Sequence, residues 1–266
     1  MHDFVSFDRE IVQAERLNIS ALSSAAIYGK GIFTTVAIAG GEPFLWEKHW
    51  RRLQANAPKL RIDLNEFSET ATSNALTALI QKNSVAEGRA RITFFDDSPS
   101  NIWPFETSQK TSLLIATGDL RTIADHFRLT ISPYPVHSGS PLAGVKSCNY
   151  LENILAFDEA KDRGFNEAIR TNEHGHITSG CMANVFWLKD DVLYTPNLKT
   201  GCLAGTTREF VLENLECREV EAAIGVLDEA DAMYLTSAGL GVTKVAEFES
   251  KQLKKILHPI ADLLLK

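Results

Sequence analysis

The residues of this chain best placed for chemistry surround Lys146, in the run Pro141-Leu-Ala-Gly-Val-Lys-Ser-Cys-Asn-Tyr-Leu-Glu-Asn153. A lysine that ends a Gly/Pro-punctuated turn, just before a helical apolar pattern, can be held by the fold and still reach into a cleft. Buried and deprotonated, its amine is the nucleophile that forms a Schiff base with a carbonyl group. Taken alone, Lys146 reads more readily as a solvated surface charge, as most lysines are. The residues upstream and downstream change that balance.

Gly201-Cys-Leu-Ala-Gly-Thr-Thr-Arg-Glu209 leads a Gly-bounded turn into a helix start. Free amides there, with the hydroxyls of Thr206 and Thr207, suit a phosphate; they suit an ordinary capped helix as well. Thr236-Ser237-Ala-Gly239 is a second hydroxyl-rich turn, placed after a strand. Arg52, in His49-Trp-Arg-Arg-Leu53, lies on a helix face beside core positions. Its guanidinium could clamp a phosphate, or its stem could simply cover the helix. Gly29-Lys-Gly31 is too short for a phosphate loop and is rejected as one. His174-Gly-His176 lacks a third ligand, so no metal site is expected. Asp96-Asp97 reads as a turn cap rather than an acid–base pair. An amine nucleophile, two hydroxyl-bearing turns and a helix arginine together form the constellation that a pyridoxal 5'-phosphate enzyme requires.

These side chains need a scaffold, and its elements are visible in the pattern. Gly31 to Ala39 is β-branched and apolar and predicts a strand, with Gly40-Gly41 as a hairpin turn into Pro43–Trp46. Glu47–Ala57 follows as a helix with Trp50, Leu53 and Ala57 inward, and Leu64–Lys82 as another, capped by Asn65 or Ser68. Strands are expected over 89–95, 112–117, 127–134, 167–171, 183–188, 192–194 and 232–236. Helices are expected over 151–163, closed by Gly164, and over 206–215. This mixture indicates an α+β or α/β fold. Residues 1–117 would form a smaller N-terminal lobe, 118–125 a linker, and 126–266 a larger C-terminal lobe carrying the lysine.

Composition excludes several functions. A net charge of −7 argues against a nucleic-acid-binding surface, which needs a basic face. No apolar run approaches membrane-spanning length. The four cysteines are widely spaced, and the first ten residues carry acidic groups and no long apolar region. A cytoplasmic protein with reduced thiols is the expectation.

The order of these motifs resembles the fold-type IV pyridoxal-phosphate enzymes, the class IV aminotransferases. That family includes branched-chain and D-amino-acid aminotransferases and 4-amino-4-deoxychorismate lyases. The resemblance covers residues 28–53, 141–164 and 175–212. It implies a two-lobed fold like that of D-amino-acid aminotransferase, with the active site between the lobes, and a homodimer. It implies that Lys146 forms the Schiff base and that Arg52, Thr206, Thr207 and Ser237 bind phosphate, with Asn149 and Tyr150 near the cofactor ring. Phe33-Thr34-Thr35, Leu142–Lys146 with Asn149, and Ala183–Trp187 look lyase-like, and on that resemblance Thr35 faces the substrate.

Two departures from the family pattern stand out. The arginine-rich loop expected after the strand near Arg91 is replaced by Phe94-Phe-Asp-Asp-Ser-Pro-Ser-Asn101. That leaves Arg91 or Lys30 for a substrate carboxylate. In Ile177-Thr-Ser-Gly-Cys-Met-Ala-Asn-Val-Phe186, Ser179 stands where the family has a glutamate facing the pyridine nitrogen. A hydroxyl supplies no compensating charge, so the cofactor would be a weaker electron sink. Full transamination should suffer most. A lyase that expels pyruvate while forming an aromatic ring needs less help. The expectation is therefore a lyase converting aminodeoxychorismate into 4-aminobenzoate and pyruvate. An aminotransferase acting on small amino acids is the runner-up, and a non-catalytic ligand-binding relative is the alternative of another kind.

Overall fold

The structure is a computed structural model and describes residues 1–99 and 110–263. The chain divides into two compact units, one of residues 1–120 with 145–150, the other of 121–144 with 151–266.

In the first unit the elements run β1 (Phe4–Phe7), β2 (Glu10–Gln13), α1 (Ser24–Tyr28), β3 (Gly31–Ala39), β4 (Glu42–Pro43), α2 (Trp46–Asn56), α3 (Glu69–Lys82), β5 (Gly88–Asp96) and β6 (Thr111–Gly118). The strands form one sheet in the order β2-β1-β6-β5-β3-β4. Gly40 and Gly41, at φ 57° and 81°, supply the two left-handed residues of the tight turn joining β3 to β4. The core lies between this sheet and its two long helices: Ile32, Val36, Ile92, Phe94 and Ile115 meet Trp50 and Leu53 of α2 and Leu76, Leu79 and Ile80 of α3. Helix α3 begins at Glu69 rather than Leu64, because the Ser68 hydroxyl accepts the Ala71 amide at 3.1 Å and caps it there.

The β1–β2 hairpin was not expected from the sequence. Its turn residues, Asp8 and Arg9, take positive φ without a glycine, so the usual hairpin signal is missing.

Residues 145–150 belong to the first unit, not to the C-terminal lobe to which the sequence assigned the lysine. Backbone pairing explains this. Strand β4 covers only the Ile38–Ala39 end of β3. At the other end the Phe33 amide donates to the Lys146 carbonyl at 2.9 Å, and the Cys148 amide to the Gly31 carbonyl at 2.8 Å. The lysine segment thus satisfies edge groups of β3 that no strand covers.

Gly31 makes the approach possible. A Cβ there would lie 2.9 Å from the Phe94 carbonyl oxygen and 3.0 Å from Cys148 Sγ. Gly31→Ala is therefore expected to cost about 1–3 kcal/mol through overpacking and to loosen the Lys146 segment. A thermal unfolding midpoint that does not fall would remove this account.

The second unit contains β7 (Arg128–Ile131), α4 (Leu151–Asp162), β8 (Glu167–Thr171), β9 (Ile177–Gly180), β10 (Asn184–Lys189), β11 (Val192–Pro196), α5 (Thr206–Asn214), β12 (Arg218–Val220), β13 (Ala232–Ser237), β14 (Gly241–Lys244), β15 (Glu247–Phe248) and β16 (Lys251–Gln252). They form two five-stranded sheets, ordered β12-β11-β10-β13-β14 and β16-β15-β7-β8-β9. Leu129 and Ile169 pack with Val185, Trp187, Met233 and Leu235 between the sheets. The other face of β10 and β13, through Phe186, Leu188 and Tyr234, packs against Val211 of α5. Strand β7 stops at Ile131, short of the expected Tyr134, because Pro133 and Pro135 offer no amide to a ladder. Among the described residues no helix is long and apolar enough to cross a membrane. All four cysteines are free.

Candidate active site

In the first unit, β3 sends alternate side chains to opposite faces. Phe33 and Thr35 share one face with Arg91, which lies directly across the β3–β5 ladder from Thr35. The Lys146 amine lies 4.5 Å from the Phe33 ring centre and 5.0 Å from that of Tyr150. These two rings meet edge to face, with centres 5.2 Å apart. The Arg91 guanidinium caps Phe33 at 3.6 Å.

Two rings can attract a cation but cannot take its proton. Among the described residues the amine has no hydrogen-bond or ion-pair partner. Burial, followed by the charges of Arg52 and Arg91, pushes the Lys146 pKa down from 10.5 to about 7. The ring contacts favour the charged form, but desolvation and two guanidinium groups outweigh them. The amine is therefore substantially neutral at physiological pH, as a nucleophile or base must be.

Thr34 points the other way, toward α2. Its hydroxyl lies 2.6 Å from His49 Nδ1 and accepts from Arg52 Nη2 at 2.7 Å. His49 is only 1 % exposed, and burial, with Arg52 and Lys146, holds its pKa well below the usual value. Tyr150 thus stands beside the lysine, whereas Asn149 is exposed, its amide donating to Ser147 Oγ at 3.0 Å. Lys30 is committed elsewhere, to Asp96 at 2.7 Å, which leaves Arg91 as the cation on the lysine's face. Asp96 accepts the Ser98 amide at 3.0 Å, the turn-capping role expected of it. The Phe94–Asn101 segment ends in Ser100 and Asn101, which lie outside the described residues.

Sequence reasoning singled out Arg52, Thr35 and Tyr150 but missed Thr34 and His49. A signal for His49 was present: its i, i+3 spacing from Arg52 puts both on one helix face.

In the second unit, Gly205 caps α5, and Thr206 and Thr207 are buried in its first turn. The Asn184 amide donates to the Leu203 carbonyl at 2.8 Å. Gly205 must be glycine here, since a Cβ would fall 1.9 Å from Asn184 Oδ1. Thr236 pairs with Asn184 across β10 and β13 and so shares its face. The Thr236 hydroxyl is buried without a hydrogen-bond partner among the described residues. The Ser237 hydroxyl, singled out from sequence, instead accepts the Leu240 amide at 3.1 Å within its turn. The orphaned Thr236 oxygen had no sequence signal beyond its neighbour's.

Ser179 pairs with Arg170 across β8 and β9. Arg170 is 2 % exposed and donates to the carbonyls of Tyr134 and Pro135 at 3.0 and 2.9 Å. The buried carboxyl of Glu167 does not replace the missing glutamate. It accepts the Cys181 amide at 2.7 Å and packs under Gly180, on the face opposite Ser179. Burial raises its pKa. His174 and His176 belong to no cluster of three or more metal-ligating groups among the described residues.

The chain is similar to aminodeoxychorismate lyase of Bacillus subtilis (strain 168), 28% identical over 240 residues, covering 87% of this chain and 82% of that protein. Its fold matches a branched-chain aminotransferase of Thermoproteus uzoniensis solved with norvaline, at TM-score 0.91 and 24% identity, covering 99% and 92% of the two chains. It also matches the branched-chain amino acid aminotransferase of T.th. solved with pyridoxamine 5'-phosphate, at TM-score 0.88 and 22% identity, covering 99% and 92%. Residues 31–248 match the profile of one family, and the chain belongs to it: Amino-transferase class IV.

Proposed function

We propose that this chain is a pyridoxal-5'-phosphate enzyme that converts aminodeoxychorismate into 4-aminobenzoate and pyruvate. The observation that carries the reading is Lys146, an amine with a pKa near 7 set against two aromatic rings. The residues present suit the cofactor. Lys146 supplies a neutral amine for its aldehyde, Arg52 a guanidinium for its phosphate, and Tyr150 a ring beside the lysine. Within the second unit, Thr206 and Thr207 open a helix and Ser237 lies in a hydroxyl-rich turn, groups that by the family resemblance bind phosphate, and the Thr236 oxygen is buried without a partner among the described residues. When bound, pyridoxal phosphate withdraws electrons from the carbon that bears the substrate's amine.

Lys146 then takes the proton from that carbon, and its depressed pKa keeps it able to do so at neutral pH. Arg91 anchors a substrate carboxylate on the same face. Thr35, across the ladder from Arg91, orients the substrate and passes a proton toward the leaving pyruvyl group. The lyase is favoured over the aminotransferase by the 28% identity to the Bacillus subtilis lyase and by Ser179, which provides no carboxylate. The aminotransferase reading draws on the fold match at TM-score 0.91.

We further propose a cytoplasmic homodimer, as the family resemblance implies. Exposed Leu151, Ile154 and Leu155, on one face of α4, are the apolar surface a second copy would cover.

The purified protein should carry a visible absorption band on addition of pyridoxal phosphate. It should release pyruvate and 4-aminobenzoate in equal amounts from aminodeoxychorismate. Consumption of an amino donor with no pyruvate release would select the aminotransferase, and a colourless protein would remove both. Light scattering giving a monomer mass would remove the dimer.

A further inference from the structure

We propose that His49 and Thr34 are a positioning pair that fixes the Arg52 guanidinium for the cofactor phosphate. The inference rests on the reading of Arg52 given above and goes beyond it, because neither residue touches the cofactor in that reading.

The proton inventory of one hydroxyl leads to it. Thr34 is 0 % exposed, and its Oγ1 has two hydrogen-bond partners, His49 Nδ1 at 2.6 Å and Arg52 Nη2 at 2.7 Å. A hydroxyl owns one proton and two acceptor sites. Arginine can only donate, so one acceptor site is filled by Arg52. If His49 Nδ1 also donated, the hydroxyl proton would be buried with no acceptor, the costly case for a polar group. If the hydroxyl donates to Nδ1, its proton and its lone pair are both satisfied. The geometry therefore requires Nδ1 to be an acceptor, leaving the imidazole neutral with its proton on Nε2. Burial and the neighbouring Arg52 guanidinium favour that same neutral state.

The consequence is directional. With its proton committed to His49, Thr34 presents a lone pair to Arg52 and no competing O–H. His49 and Arg52 lie three residues apart on α2, so a single oxygen ties both to the centre of β3. Thr34 directly follows Phe33, whose ring centre lies 4.5 Å from the Lys146 amine, so the oxygen that holds Arg52 sits on the strand that also meets the reactive amine. Its charge is the second largest cause of that amine's lowered pKa. A long, entropy-rich arginine held this way loses less freedom when it meets a phosphate.

The test compares pyridoxal 5'-phosphate with pyridoxal, which lacks the phosphate, by equilibrium binding to the apoprotein. Thr34→Val and His49→Phe should each weaken pyridoxal phosphate binding by about tenfold, the scale of one hydrogen bond to a charged group. Pyridoxal binding should stay within about twofold, and Thr34→Ser should restore the wild-type value. In an Arg52→Ala background Thr34→Val should add nothing, because both act through one guanidinium.

If Arg52→Ala itself leaves pyridoxal phosphate affinity intact, the phosphate reading fails and this proposal with it. If Arg52→Ala weakens binding while Thr34→Val does not, only the positioning pair fails. Equal losses for both ligands in the Thr34 and His49 variants would show a structural role and overturn it. ¹⁵N spectra of the wild-type imidazoles give a readout that needs no variant. His49 should show an unprotonated Nδ1 and a protonated Nε2 at neutral pH, and the opposite tautomer would overturn the proposal.

Discussion

Replacing Lys146 with methionine is expected to lower the rate of pyruvate release by at least about a thousandfold, because base and nucleophile are lost together. Borohydride treatment of the wild-type protein with pyridoxal phosphate should leave the cofactor covalently attached to the peptide containing Lys146, and the variant should give no such peptide. The same change should stabilise the apoprotein. The folded pKa of about 7 lies below the ordinary 10.5, so between those values the unfolded chain binds a proton that the folded chain does not. Wild-type stability therefore rises with pH across that window. Below about pH 7 the full penalty of burying an ammonium is present. Methionine fills a similar volume without a charge, so its advantage should be greatest at pH 7 and below, and should shrink toward pH 10. Equal unfolding curves for both proteins across this range would contradict the desolvated amine. In the wild type, the rate of cofactor attachment should climb as pH rises through about 7, following the neutral fraction.

Ser179→Glu is expected to shift the balance of chemistry rather than abolish it. A carboxylate at this position would stand across the ladder from Arg170, whose guanidinium is buried and donates to two backbone carbonyls. That neighbour would keep the new carboxylate ionised. In the wild type Arg170 lies 3.8 Å from the Glu152 carboxylate, and Ser179 contributes a hydroxyl but no charge of its own. Adding the negative charge should strengthen electron withdrawal through the cofactor. Single-turnover conversion of an amino donor to its oxo acid should rise by about tenfold or more, a barrier change of about 1.4 kcal/mol. Pyruvate release should change much less. An unchanged ratio of the two rates, with unchanged cofactor absorbance, would show that Ser179 does not set the reaction type.

Much of the fold was legible because its signals are local. The run from Gly31 to Ala39 is a strand by composition, and Gly40-Gly41 can only turn tightly. The apolar spacing of Trp50, Leu53 and Ala57 describes a helix with one buried face, and all three are buried. Missed elements were those whose signals are weak or absent, such as the hairpin turning at Asp8 and Arg9 without glycine. Strands β14 to β16 are two to four residues long, too short to show a period.

The site divides along the same line. Residue types taken in order suggest the chemistry: a lysine after a Gly/Pro turn, an arginine on a helix face, and threonines at a helix start. Those are properties of the chain, and they survive without knowing where anything lies. What the chain order cannot express is which neighbour sets a residue's charge and direction. Lys146 and Phe33 are far apart in sequence, yet the lysine's carbonyl completes the edge of β3 and brings its amine over that ring. Arg91 reaches the same face only through the ladder register, and Lys30, equally basic, is withdrawn by Asp96. Thr34 and Thr35 are identical and adjacent. The pleat alone sends one to His49 and Arg52 and the other to the lysine's face. Desolvation and hydrogen-bond direction depend on what packs from elsewhere in the chain, so the amine's pKa and the hydroxyl's proton became defined only on folding.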